Sequence, residues 1–159
     1  MSVFDTSAII HGWDEYPCAK FPKLWEWLEC EALMGELFMP SVALDELALM
    51  SPDCFTWVKS TAIEIVPMSM AILQKAKLYK SLIGVVDDKY HPKGVDENDL
   101  LIIASACELG RTLISNEARQ PGDPKILSKR KIPAVCNMHG VSVSCMNFRD
   151  LFMTSSNAF

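Results

Sequence analysis

The sequence predicts an α/β fold: a three-layer α/β/α arrangement around a central parallel sheet of about four to five strands. Short apolar runs alternate along the chain with longer amphipathic ones, which is the order of strands and helices in a parallel sheet. The 159 residues are 50% hydrophobic and 22% charged, as in one ordinary globular domain. No repeat or Gly/Ser-rich linker divides the chain, so we expect a single domain over residues 1–159.

Short apolar or β-branched runs bounded by Gly, Pro or polar residues predict the strands. The expected strands cover residues 2–5, 37–39, 63–66, 112–115 and 141–144.

Helical spacing of apolar residues, together with capping residues and glycines, predicts the helices. The expected helices cover Pro22–Leu33 and residues 41–49, 69–82 and 98–109, with a final helical turn after Asn147. The first should bury a face that carries Leu24, Trp27, Leu28 and Leu33, and Ser41 should cap the second. Polar residues 87–94 should form a loop.

Charge and apolar content exclude several classes of protein. The net charge of −5 argues against a broad basic surface for nucleic acid, so any such contact should be local. The apolar runs are far shorter than the roughly 18–20 residues of a membrane span, and the N-terminus does not resemble a signal peptide. Six scattered cysteines without a CxxC pair are typical of reduced thiols. We therefore expect a cytoplasmic protein that does not enter the membrane.

Four acidic residues occur at strand ends or in the early turns of predicted helices. Asp5 ends the first strand, Glu117 follows the fourth, and Glu46 and Asp99 lie in helices. If the strands are parallel, all four carboxylates can point to one end of the sheet. Clustered carboxylates require shared protons or a cation, and hard oxygen ligands suit Mg²⁺ or Mn²⁺. Each acid could also be an ordinary surface charge or helix cap, so the residues alone leave both interpretations open.

The blocks around these acids resemble those of PIN-domain nucleases. They are Asp5-Thr6-Ser7, Glu46-Leu47, Asp99 at the start of an apolar helix, and Ser115-Asn116-Glu117, in the family's order. Tyr16-Pro17 and residues 21–28 and 131–136 are similar to the VapC-like branch, a group of bacterial and archaeal proteins of unknown function. Two positions differ: Ser7 stands where Asn is common, and Glu117 where Asp is frequent.

The resemblance implies a PIN-like domain with a Mg²⁺- or Mn²⁺-dependent endoribonuclease activity, in which RNA is the substrate. It further implies the toxin of a toxin–antitoxin pair, bound by an antitoxin protein. The apolar segments around residues 21–28 and 48–57 could supply the surface for that partner or for a homodimer, or could be ordinary helix cores. The resemblance makes Asp5, Glu46, Asp99 and Glu117 the catalytic metal ligands, with Glu46 acting in part through water. Thr6, Ser7, Ser115 and Asn116 would orient these ligands by hydrogen bonds, and Lys93 and Arg119 would contact substrate phosphates.

Two other functions compete with this expectation. One is an aspartyl-phosphate phosphatase with Asp5 as nucleophile, although such enzymes need a second Asp where this chain has Ser7. The other is a non-catalytic PIN-like module that binds RNA or a protein. Metal binding separates the module from the nuclease, and a phosphoryl adduct on Asp5 would identify the phosphatase.

Overall fold

The computed structural model describes residues 1–155 and confirms the α/β fold, with a five-stranded, wholly parallel sheet flanked by helices in three layers. The strands are β1 (Ser2–Phe4), β2 (Leu37–Pro40), β3 (Glu64–Val66), β4 (Thr112–Ile114) and β5 (Cys145–Met146). The helices are α1 (Thr6–Glu15), α2 (Pro22–Leu33), α3 (Ser41–Met50), α4 (Pro52–Ser60), α5 (Met70–Leu82), α6 (Glu97–Leu109), α7 (Ile132–Cys136) and α8 (Phe148–Met153), with a 3₁₀ turn at Leu127–Lys129. None of the helices within residues 1–155 is long and apolar enough to cross a membrane.

The strand order is β3-β2-β1-β4-β5, which places β1 at the centre of the sheet. After β1 the chain moves outward through β2 and β3, and it then crosses back to add β4 on the other side of β1. The direction of winding therefore reverses between β1 and β4, which pair with Phe4 opposite Ile114. In open α/β sheets, ligands bind beyond the carboxyl ends of the strands at such a reversal. The fold thus marks one crevice before any side chain is considered.

Local signals explain most helix boundaries. The Ser69 hydroxyl accepts a hydrogen bond from the Ile72 backbone N–H and caps α5. Helix α6 ends at Gly110, whose φ of 62° is left-handed, where a side chain would cost energy. Helix α3 begins at the expected residue, but its N-cap is Pro40, and the prediction that Ser41 caps it is wrong.

Two further predictions need correction. The last strand lies at Cys145–Met146 and not at residues 141–144, because Ser142 has a φ of 51° and interrupts any extended run there. Helix α2 has the predicted bounds but a different inner face, made of Leu24, Trp25, Leu28 and Ala32. Leu33 is 76% exposed, so the predicted buried face was rotated by about one residue at that end.

Three helices were not expected from the periodicity: α1, α4 and α7. Helix α1 follows β1 directly and packs against α8, where the ring of Phe148 covers Gly12. Trp25 is buried, with ring centroids 5.3 Å from Trp13 and 4.7 Å from Trp57. This residue is therefore part of the core and not a base-stacking platform.

Gly12 is expected to be needed for this packing. A Cβ atom at Gly12 would lie 2.5 Å from two ring atoms of Phe148, which is 1% exposed and also packs against Phe4 and Tyr16. Because that ring cannot swing into solvent, we expect Gly12→Ala to lower the free energy of unfolding by about 1–2 kcal/mol, despite the better helix propensity of Ala. Urea unfolding measures the change. Gly122→Ala is the control, since nothing lies within 4 Å of its added Cβ; equal stability of the two variants would contradict the prediction.

Candidate active site

The site is built where β1 and β4 end side by side. Asp5 is the residue after β1 and the N-cap of α1, and Ser115 is the residue after β4. The Asp5 backbone N–H donates to the Ile114 carbonyl at 2.9 Å, which continues the strand pairing to the edge of the sheet. Asp5 is 3% exposed, and Ser115 is also buried. The structure therefore places two of the predicted site residues in the crevice at the reversal of winding.

Two serine hydroxyls connect Asp5 to the turn that follows β4. Ser115 Oγ donates to Asp5 Oδ2 at 2.8 Å, and Ser7 Oγ donates to the same oxygen. Ser7 Oγ accepts from the Asn116 backbone N–H at 3.0 Å, while Ser115 Oγ accepts from the Glu117 backbone N–H at 3.3 Å. Both hydroxyls bind Oδ2, which leaves Oδ1 of Asp5 for another partner. Ser7 and Ser115 thus orient Asp5 by hydrogen bonds, as the resemblance implies.

The Asp5 carboxyl lies in an environment that disfavours its charge. Burial raises the pKa of Asp5 to about 6, and the hydroxyls of Ser7 and Ser115 oppose the shift. The negative charges of Glu117 and Glu46 raise that pKa further. These two acids are therefore close enough to act on Asp5 through space, and the cost of their repulsion would fall if a cation bound between them.

Glu46, on α3, is held by two donors from other segments. Thr6 Oγ1 lies 2.8 Å from Glu46 Oε2 and 3.1 Å from the Ala43 carbonyl, so its single proton can be shared between them. Asn98 Nδ2 donates to Glu46 Oε1 at 2.8 Å. The predicted set missed Asn98. No clear signal marked it, because Asn is common at helix starts and its neighbours Glu97 and Asp99 are polar as well.

Asp99 forms part of the capping box of α6. Its Oδ2 accepts from the Asp96 backbone N–H at 2.8 Å, and Asp96 Oδ1 accepts from the Asp99 backbone N–H at 3.0 Å. Burial raises the pKa of Asp99 to about 8 although it is only partly buried, and the bond from Asp96 N–H opposes the shift. The charges of Asp96, Glu117 and Asp5 raise it further. Asp99 therefore caps α6 and also lies within electrostatic reach of Asp5 and Glu117.

The turn after β4 also holds the C-terminal helices. Glu117 Oε2 accepts from the Ile132 backbone N–H at 2.8 Å, at the start of α7. Asn116 Oδ1 accepts from the Phe148 backbone N–H at 2.8 Å, at the start of α8. Asn116 therefore anchors a helix in addition to its backbone bond to Ser7, and Glu117 has one oxygen engaged away from Asp5.

The donor set suits a hard divalent cation in its chemistry. All four acids supply carboxylate oxygens, and burial together with neighbouring negative charges raises the pKa values of Asp5 and Asp99. As the side chains are placed, however, no three Asp, Glu, His or Cys residues within 1–155 form a group that could hold a metal ion. The carboxylates instead accept hydrogen bonds from backbone N–H groups at helix starts and from neighbouring side chains. Binding would therefore require the side chains to move closer together than they are placed.

The two predicted phosphate contacts differ in position. Arg119 lines a pocket of about 240 Å³ with Cys145, and its guanidinium lies 3.7 Å from Asp150. A hydrogen bond from Cys136 lowers the pKa of the Cys145 thiol, burial opposes this, and the charge of Arg119 lowers it further. The charges of Asp5 and Glu117 raise the pKa of the same thiol, so Cys145 lies within electrostatic reach of both Arg119 and these acids. Lys93 lies exposed in the loop before α6, and no bond within residues 1–155 joins its side chain to them.

Comparison with known proteins gives a family for the chain but no activity. No curated protein matches it. One family model, described as Domain of unknown function (DUF4411), matches residues 2–159 and so includes β1, the four acids and the C-terminal helices. Because the match covers nearly the whole sequence, the protein is a member of the DUF4411 family.

Proposed function

We propose that this protein is a Mg²⁺- or Mn²⁺-dependent endoribonuclease of the PIN type, which hydrolyses phosphodiester bonds in RNA. The observation that carries the proposal is the position of Asp5. Asp5 is buried where the direction of winding reverses between β1 and β4, and it accepts hydrogen bonds from Ser7 and Ser115. The negative charges of Glu117 and Glu46 raise its pKa. A ring of carboxylates in a crevice is typical of metal-dependent phosphodiester hydrolysis.

In this proposal the protein's own residues hold and orient the reacting groups. A bound Mg²⁺ or Mn²⁺ would polarise a phosphate oxygen and lower the pKa of a water molecule. Asp5 and Asp99 would hold the ion, and Glu46 and Glu117 would complete the acidic ring. Ser7 and Ser115 would keep Asp5 Oδ2 fixed, so that Oδ1 faces the ion. Arg119 would contact a substrate phosphate, and its 3.7 Å ion pair with Asp150 is long enough to exchange.

We further propose that the nuclease is the toxin of a toxin–antitoxin pair and that a partner protein covers part of its surface. Apolar side chains are exposed at the junction of α3 and α4, where Leu49 is 87% and Met50 69% exposed. An antitoxin or a second copy of the chain would remove these side chains from water. Co-expression of the gene with any small reading frame directly upstream or downstream tests this proposal. The toxin–antitoxin role is wrong if no adjacent reading frame suppresses the toxicity of the protein in the cell.

The activity is tested by incubating purified protein with end-labelled RNA and Mn²⁺. We expect cleavage by the wild type and a loss of at least about 10²-fold in the Asp5→Asn/Asp99→Asn variant, because charge stabilisation of the transition state is among the largest contributions to such rates. Fragment ends should carry a 5′-phosphate and a 3′-hydroxyl.

Asp14→Asn is the matched control, because Asp14 is an exposed acid on α1 that contacts neither Asp5 nor Asp99. It should cleave like the wild type after the same purification. Equal cleavage by the wild type and the double variant would show that any activity comes from a contaminant, and would end the proposal.

Of the two competing functions, the placement of the side chains supports one: a PIN-like module that binds RNA or protein without catalysis. Asp99 and Glu117 are bonded to backbone N–H groups at helix starts, as in purely structural roles. Titration calorimetry with Mn²⁺ distinguishes the two functions. The nuclease should bind Mn²⁺ with an affinity that Asp5→Asn abolishes, whereas a module of this kind should give no heat of binding in either protein.

A further inference from the structure

Glu46 joins the two segments that carry Asp5 and Asp99. Its Oε2 accepts from Thr6, the residue after Asp5, and its Oε1 accepts from Asn98, the residue before Asp99. Both bonds are 2.8 Å long. One carboxylate on α3 therefore holds the first turns of α1 and α6 through its two oxygens.

This bridge matters because Asp5 and Asp99 are distant in sequence and lie on different helices. Asp5 is fixed by β1 and by its serine partners, but Asp99 is placed by the first turn of α6, which lies beyond the exposed loop of residues 87–94. The bond from Asn98 to Glu46 is a side-chain hydrogen bond between this turn and α3, which also pack against each other. Hydrogen bonds to charged groups are stronger than neutral ones, so the contact is well suited to fix the turn.

The chemistry of the amide suits such a role. Asn98 donates a proton to Glu46 but carries no charge, so it leaves the negative charge of the acidic ring intact. A Lys or Arg at this position would pair with Glu46 and compete with a metal cation, and an Asp would repel it. The neutral donor orients the carboxylate without neutralising it.

We propose that Asn98 is a positioning residue of the candidate metal site, which sets the geometry of Asp99 relative to Asp5 by binding Glu46. The inference rests on the proposed function, since it assigns a role toward the metal that the acids would hold. Asn98 acts through Glu46 and contacts neither metal nor RNA itself.

The test is a double-mutant cycle between Asn98→Leu and Glu46→Ala. Leu has the same branched shape but no donor. Gln74→Leu on α5 is the matched control, because it removes an exposed amide that makes no hydrogen bond to the four acids. Mn²⁺ affinity is measured by calorimetry, and unfolding in urea is measured in the presence of a chelator. If Asn98→Leu does not fold, Asn98→Ser replaces it, since the serine side chain is too short to reach Glu46.

We expect Asn98→Leu to weaken Mn²⁺ binding by about tenfold or more in the wild-type background and to have no further effect beside Glu46→Ala. In the chelator, the effects of the two substitutions on the unfolding equilibrium constant should deviate from additivity by about tenfold. A merely structural role for Asn98 would reduce Mn²⁺ affinity equally in both backgrounds, and that outcome overturns the inference.

The two proposals fail in different ways. If the wild type binds Mn²⁺ but Asn98→Leu binds it equally well, the positioning role is wrong and the nuclease proposal stands. If the wild type binds no Mn²⁺ at all, the proposed function is wrong and the positioning role falls with it. In that case the urea cycle still reports whether Asn98 and Glu46 are coupled in the fold.

Discussion

Replacing Asp5 by Asn is expected to stabilise the metal-free protein while abolishing its binding of Mn²⁺. The carboxylate is buried beside other acids, and its pKa rises from 3.8 to about 6. Above pH 6 the folded protein must therefore hold a charge that the unfolded chain accommodates easily in water. Asn has nearly the same size, and its carbonyl oxygen can accept the hydroxyls of Ser7 and Ser115, so the substitution removes the charge and keeps the contacts.

The sign and size of this effect follow from the shift. Below pH 3.8 Asp5 is protonated in both the folded and the unfolded protein. As the pH rises from about 4 through about 6, the unfolded chain loses this proton more easily than the folded protein, so the free energy of unfolding falls. A shift of about two units at 1.36 kcal/mol each predicts that Asp5→Asn gains about 2–3 kcal/mol at pH 7 and far less at pH 4. Urea unfolding in a chelator measures both values, with Asp14→Asn as the control. A destabilised Asp5→Asn variant at pH 7 would show that the charge itself holds the site together.

The metal-free protein should also lose stability between pH 6 and pH 8, where ordinary carboxyl groups no longer titrate. Asp99 causes this, because its pKa is raised from 3.8 to about 8 and its ionisation in the folded protein is completed only above that pH. Its side chain is partly exposed, so solvent screening reduces the effect to about 1–2 kcal/mol. In the proposed function Mn²⁺ would bind the ionised acids of the folded state, so a saturating concentration should reverse the loss.

The measurement is the melting temperature across this pH range, with chelator and with Mn²⁺, for the wild type and Asp99→Asn. The amide oxygen of Asn can still accept the bond from Asp96, so the capping box is retained and only the titration is removed. The curve of Asp99→Asn should be flat between pH 6 and pH 8. If the wild type and the variant lose stability in parallel, another group titrates there and Asp99 is not strained in the way described.

The parallel sheet could be predicted from the sequence because β1, β2 and β4 are short, mostly buried runs between clear breaks, whereas the half-buried edge strand β5 was placed at the wrong residues. The strand order could not be predicted, since the order depends on which crossover returns past β1. That order supplies the strongest argument for the site, because it places Asp5 and Ser115 on neighbouring strands. The helix α1 was missed because it follows β1 without a break and contains a glycine whose neighbour, Phe148, lies far away in sequence.

In the candidate site, too, some features could be predicted from the sequence and others could not. Asp5, Ser7 and Ser115 were expected to lie together, and the structure joins them by hydrogen bonds. The role of Asn98 could not be predicted, because its partner on α3 is distant in sequence and an amide has many uses. The bonds of Glu117 and Asn116 to α7 and α8 were hidden for a related reason: backbone donors at helix starts leave no mark in the sequence of the residue that accepts from them.

The bonds from Asn116 and Glu117 to the two last helices have a consequence for protein synthesis. The turn after β4 is oriented by backbone groups at Ile132 and Phe148, which leave the ribosome after every residue of the acidic ring. A nascent chain that ends before α8 contains all four acids but lacks the anchor for Asn116 and the ring that covers Gly12. We therefore expect the crevice to mature only late in translation, so that under the proposed function a ribosome-bound fragment would not yet cut the RNA around it.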